Sequence, residues 1–131
     1  MSAVISFDNL TLDGGSPIYS QIVLYVKRGV SAGSFADGDE LPSRRVLSAL
    51  LGVNPNTVQK AFRILEDEEL IESRSGAKSY LTLTPGKTEL VRAELLRSEL
   101  SALVSAVKQS GIDKRRALEL IEKLWDGGME P

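Results

Sequence analysis

The Gly52-Val53-Asn54-Pro55 run constrains this chain more than any other feature, because it interrupts an otherwise helical stretch, LPSRRVLSALLGVNPNTVQKAFRIL from Leu41 to Leu65. A glycine can take the left-handed conformation that ends a helix, and Asn54-Pro55 restarts one: Asn54 suits the N-cap, and Pro55 suits the first helical position, where no NH partner is needed. The first helix carries its own start signal, Pro42-Ser43, ahead of Val46, Leu47 and Leu50, which the helical period places on one apolar face. In the second helix Val58, Ala61, Phe62 and Leu65 fall at i, i+3, i+4 and i+7, one buried face. Asn56, Thr57, Gln59, Lys60 and Arg63 are left for the other face. The stretch therefore reads as two short helices joined by a sharp turn.

Charge placement indicates what such a pair of helices can meet. Between Leu41 and Leu65 stand Arg44, Arg45, Lys60 and Arg63 and no carboxylate, whereas Asp37, Asp39 and Glu40 lie just before and Glu66, Asp67, Glu68 and Glu69 just after. The formal net charge of the whole chain is -2. Phosphates, however, respond to the field within a Debye length of about 8–10 Å, so the local basic island decides.

Composition excludes several classes. The 131 residues are 42% hydrophobic and 26% charged, ordinary for a globular protein. The sequence has neither cysteine nor histidine. Disulfides, thiolate metal sites, the commonest neutral metal ligand and the commonest general base are all removed, so we expect no enzyme, no metal site and no cofactor. Consecutive acids from Glu66 to Glu69 point in different directions on a helix and read as a solvated helix end. The N-terminal MSAVISFDNL has no basic leader, and the apolar run from Ile22 to Val26 is far too short for a bilayer. A cytoplasmic protein without a membrane partner is the expectation.

Elsewhere, Ala3 to Phe7 is β-leaning, and Asp13-Gly14-Gly15-Ser16 signals a loop. Pro17 then opens a helix with Ile18, Ile22, Tyr25, Val26 and Val30 on one stripe, closed by Gly33 and the Asp37-Gly38-Asp39 turn. After the second helix of the pair, Leu70–Ser73 and Lys78–Leu83 are short strand-like runs around Ser75-Gly76-Ala77, a β-hairpin of the kind called a wing. Thr84-Pro85-Gly86 reads as a break. Lys87 to Ser110 is a long helical pattern with Leu96, Leu100, Leu103, Val104 and Val107 on one stripe. After Gly111, Asp113 caps a last helix bearing Leu118, Ile121, Leu124 and Trp125, ended by Asp126-Gly127-Gly128. The fold class that results is mainly α with a small β-hairpin: a winged helix-turn-helix domain over 1–84, followed by a two-helix dimerisation tail over 85–131. The tail's polar face holds eight basic and seven acidic residues between Pro85 and Asp126, a balanced, solvated surface. Its apolar stripes need a partner, and a symmetric homodimer built on Leu96, Leu100, Leu103, Val107, Leu118, Ile121 and Trp125 supplies one.

PIYSQI at Pro17 to Ile22, LPSRRVLSALLGVNPNTVQKAFRILEDEELIESRSG at Leu41 to Gly76, and the short helical tail resemble the GntR family of bacterial transcription regulators, and within it the YtrA-like members with a short C-terminal region. The resemblance implies a homodimer that binds a near-palindromic operator in double-stranded DNA, commonly as a repressor of its own operon, which in this subfamily often encodes an ABC transporter. Matched to the family's motifs, the arginine of PSxR falls on Arg45, the cap and first turn of the recognition helix on Asn54, Asn56 and Thr57, and the wing-tip glycine on Gly76. Two positions depart from the pattern. Arg44 adds a positive charge, and Lys78 stands where a second wing glycine is usual.

Ser43, Arg44, Arg45, Asn54, Asn56, Thr57, Gln59, Lys60, Gly76 and Lys78 are accordingly the candidate DNA-binding residues. Each has a plainer reading. Ser43 and Asn54 serve as caps whether or not they touch DNA. Arg44 and Arg45 could pair with Asp39 or Glu40, and since successive helical residues turn by about 100°, only one need face a groove. Arg63 could merely hold Glu66 or Asp67. Tyr19, Tyr25 and Tyr80 suit packing better than base stacking, there being no aromatic cluster on the basic face. The alternative to DNA binding is a winged-helix module that docks proteins. A small-molecule effector of unknown identity is compatible with either.

Overall fold

The structure is a computed structural model that describes residues 3–74, 76 and 78–127. It contains, in chain order, α1 (Ile18–Ala32), β1 (Glu40–Leu41), α2 (Arg44–Leu51), α3 (Pro55–Asp67), β2 (Ile71–Ser73), β3 (Ser79–Leu81), α4 (Pro85–Gln109) and α5 (Lys114–Trp125). This is a winged helix-turn-helix arrangement with helices following it.

The boundaries of the paired helices arise from local chemistry. Ser43 Oγ accepts the Val46 NH at 3.1 Å to start α2, and Gly52 ends it at φ 68°. Asn54 Oδ1 accepts the Asn56 NH at 2.8 Å to start α3, with Pro55 in its first turn. Val58, Ala61, Phe62 and Leu65 are fully buried, and α1 contributes Ile22, Val23, Val26 and Val30 to the same core. Phe7 and Ile5 close it from the N-terminal segment, and Phe7 lies 4.9 Å from the Tyr25 ring. Burial, and then the charge of Asp8, push the Tyr25 hydroxyl above its usual range, and that hydroxyl donates to the Ser6 carbonyl at 2.7 Å.

Gly29 faces the Phe35 ring so closely that an added Cβ would collide with it. We expect Gly29→Ala to cost about 1–3 kcal/mol, the usual penalty of overpacking. A thermal melt unchanged from the native chain would refute this.

Three sequence expectations need correction. Val46 and Leu50 do not share the buried face of α2: they are 57% and 53% exposed, and the inward residues are Leu47 and Ser48. The reason is the turn, since Ser48 Oγ donates to the Val53 carbonyl at 2.6 Å and the Val53 NH returns a bond to the Ser48 carbonyl at 3.1 Å, which rolls α2 toward Ser48. The wing is more than a hairpin. β3 is the central strand of an antiparallel sheet ordered β1-β3-β2, with Glu40 opposite Tyr80 and Glu72 opposite Tyr80 on the other side. Ala3 to Phe7 contributes only a parallel bridge from Val4 to Glu40. Finally, Thr84-Pro85 is a helix start: Thr84 Oγ1 accepts the Lys87 NH at 3.1 Å, and α4 begins at Pro85. Ser75, Ala77 and Gly128, expected in turns, lie outside the described residues.

The chain forms two compact units, one running to Leu95 and the other from Leu96. The first therefore includes the opening turns of α4, and Val91 is buried there. In the second, α5 is capped by Asp113 Oδ1 on the Arg116 NH at 2.9 Å and buries no residue. No helix among the described residues is long and apolar enough to cross a membrane.

Candidate nucleic-acid interface

The exposed side of α3 is short of carboxylates and rich in groups with no internal task. Asn56 is exposed, and Thr57 and Gln59 are half-buried with no side-chain hydrogen bond to any described residue. The backbone at the helix start is less available. The Asn56 NH is taken by the cap and the Thr57 NH bonds the Asn54 carbonyl at 2.9 Å, so this end offers side chains more than free backbone donors.

The two arginines of α2 separate. Arg44 is half-buried with its guanidinium 5.0 Å from the centre of the Phe62 ring, and its buried Nε has no partner. Arg45 is exposed and makes no ion pair with a described residue. Of the acids expected to neutralise them, Asp39 is engaged elsewhere, since its Oδ2 accepts the Ala36 NH at 2.8 Å and its Oδ1 the Ala3 NH at 3.3 Å, and Glu40 forms no ion pair with either arginine. Arg45 is thus presented as a free cation, whereas Arg44 is partly committed to the core. Ser43 and Asn54 both act as caps.

Lys60 does not simply extend from α3. Its ammonium sits 4.0 Å from the centre of the Tyr19 ring on α1, a cation–π contact worth about 0.5–1 kcal/mol at an exposed site. Arg63 has no ion pair with a described residue. Glu66, its proposed mate, instead accepts from Ser73 Oγ at 2.8 Å, so Arg63 belongs with the free cations. The Glu66–Glu69 run is not merely solvated either, because Glu68 pairs with Lys27 at 2.7 Å.

On the wing, Gly76 is exposed at φ 78°, a left-handed conformation that suits glycine, and Lys78 is exposed. Arg74 is a residue that sequence reading passed over. Its guanidinium lies 4.4 Å from the Tyr80 ring centre and bonds Glu72 at 2.9 Å. The i, i+2 spacing of Glu72 and Arg74, at the end of β2, was the available signal.

In the second unit the apolar stripes stay uncovered. Leu96, Leu100, Leu103, Leu118 and Ile121 are exposed, Val107 is half-buried, and Trp125 is 85% exposed.

A winged helix-turn-helix with a cation-bearing face and no carboxylate from Leu41 to Leu65 fits the class of DNA-binding transcription regulators. Comparison with known proteins makes this specific. Residues 18–80 match the family model described as bacterial regulatory proteins, gntR family. The chain is 33% identical over 111 residues to the HTH-type transcriptional repressor YtrA of Bacillus subtilis (strain 168), covering 83% of this chain and 85% of that protein. It is 30% identical over 112 residues to the uncharacterized HTH-type transcriptional regulator YhcF of the same strain, covering 86% and 93%. A solved GntR family transcriptional regulator from Listeria monocytogenes superposes with a TM-score of 0.76 at 32% identity, covering 86% of this chain and 98% of that one. The chain belongs to the GntR family of bacterial transcription regulators and is YtrA-like within it.

Proposed function

We propose that this regulator is a repressor that binds a near-palindromic operator as a homodimer in the cytoplasm, acting on an operon of the transporter type that the family resemblance suggests. The observation that carries the reading is the free recognition face: Asn56, Thr57 and Gln59 with Arg45 and Arg63, and no carboxylate from Leu41 to Leu65. The helix from Pro55 enters the major groove, where amide and hydroxyl groups discriminate base edges, while Gly76 and Lys78 approach the flanking minor groove. Arg45 and Arg63 contact phosphate or base, Lys60 is held near the backbone by Tyr19, and Ser43 and Asn54 fix the helices that carry them. The uncovered stripes of α4 and α5 pair two chains, with Leu96, Leu100, Leu103, Val107, Leu118, Ile121 and Trp125 in the interface. The repressor name of a relative that matches most of both chains supports the direction of regulation.

Titration with duplex DNA at two salt concentrations tests the reading against a protein-docking module. Each neutralised phosphate contributes a slope of about -0.9 in log affinity against log salt, so 6–10 contacts would cost ~10³–10⁵ in affinity between 50 and 200 mM. Salt-independent or absent binding to its own promoter region would refute the proposal.

A further inference from the structure

The hairpin of β2 and β3 has two faces of different character. Ile71 stands opposite Leu81, Glu72 opposite Tyr80 and Ser73 opposite Ser79, and the Arg74 NH adds one more bond, to the Lys78 carbonyl at 2.9 Å. Side chains alternate along a strand, and opposed residues share a face. Ile71, Ser79 and Leu81 are buried, which leaves Glu72, Arg74, Lys78 and Tyr80 for the outer face. Glu40 joins them from β1, opposite Tyr80 on its other side. The outer face is therefore polarised. Two acids flank Tyr80 at the base, whereas Arg74 and Lys78 lie toward Gly76 at the tip, and no acid occurs from Ser73 to Thr88.

The Arg74 guanidinium lies 4.4 Å from the Tyr80 ring centre, and its Nε donates to Glu72 Oε2 at 2.9 Å. Both charged side chains stay half exposed, at 50% and 52%. The bond to Glu72 uses Nε alone, so the two terminal nitrogens have no hydrogen-bond partner among the described residues. An exposed pair of this kind adds little to stability and gives way to a better-matched anion. Phosphate is such an anion, because its oxygens fit the planar fork of a guanidinium. The Tyr80 ring meanwhile restricts the fork, so less freedom is lost when it makes a contact.

We infer that Arg74 is a further DNA-contacting residue of the wing, its guanidinium held against Tyr80 to take a backbone phosphate, and that Glu72 is the internal anion which this phosphate displaces. The inference rests on the DNA-binding reading above and concerns the wing of a single chain. It adds a planar, two-pronged donor to the backbone of Gly76 and the ammonium of Lys78. Glu72 keeps the guanidinium neutralised until DNA replaces it, so the wing contributes less to affinity than its two cations would alone.

The test is a titration of the full-length protein with its promoter duplex and with a scrambled duplex, at salt from about 50 to 200 mM. Arg74→Ala should weaken both duplexes by about tenfold at the low end, the scale of a charge-assisted contact. It should also lower the salt slope by about 0.9 for each wing engaged, so that with one wing the gap to the parent narrows ~3.5-fold over that range. Glu72→Gln should do the opposite and strengthen binding by about two- to fivefold, the competing strength of an exposed pair. In an Arg74→Ala background the same change should have less than half that effect. An equal gain in both backgrounds would overturn the displacement of Glu72, which would then merely repel phosphate. Native affinity in Arg74→Ala would overturn the contact. Lost affinity at an unchanged slope would do so too, since Arg74 would then only shape the wing, and so would weaker binding by Glu72→Gln. A parent whose binding does not depend on salt would instead overturn the DNA reading itself, and this inference with it.

Discussion

Arg45→Ala should weaken operator binding by about 1–3 kcal/mol per half-site, roughly 5- to 150-fold, while leaving the thermal melt and the oligomeric state of the protein unchanged. The asymmetry follows from its surroundings. Arg45 is exposed, and Asp39, an acid close in sequence that might have held it, spends its carboxylate on the Ala36 and Ala3 NH groups. Removing a cation with no internal partner costs the fold almost nothing. The loss also has a diagnostic form. If Arg45 meets phosphate, the variant weakens all sequences alike and the salt slope falls by about 1; if it meets a base edge, discrimination at one operator position relaxes. Gln59→Ala should produce the second pattern. Gel-shift titrations showing both variants at native affinity would remove this face from consideration as the contact surface.

Leu100→Glu should convert the protein to monomers and lower affinity for the full operator by ~10²–10⁴, the contribution of linkage between two readers, while affinity for a half-site persists. Leu100 is 49% exposed in the single chain, and glutamate is a good helix former, so the substitution carries little penalty for the isolated fold. In a paired interface it would bury an unpaired charge. Sedimentation shows the oligomeric state directly. A dimeric Leu100→Glu protein would exclude the α4 stripe from the interface.

The parts of the fold that were legible in the sequence are those fixed by near neighbours. Ser43, Gly52, Asn54, Pro55 and Asp113 each act on residues within a turn, and the structure places all of them where capping chemistry put them. Periodicity was equally reliable for the 13-residue α3. It failed for the eight-residue α2, too short for its period to outweigh one inward hydroxyl, that of Ser48. β1 went unread because its two residues are a strand only by virtue of Tyr80 and Ser79, distant in sequence. The same non-locality hid the seat of Lys60 on Tyr19 and of Arg44 on Phe62. The start of α4 was ambiguous for a different reason, because Thr84-Pro85 is as good a helix start as it is a break.

The reciprocal bonds between Ser48 and Val53 bear on how such a protein can change. They brace the turn between α2 and α3 with a buried hydroxyl and backbone, with no contribution from Asn56, Thr57 or Gln59. The residues that brace this turn and those proposed to choose bases are therefore separate sets. Drift at the second set costs the fold little, so a duplicated gene could acquire a new operator by a few substitutions without first passing through a less stable protein.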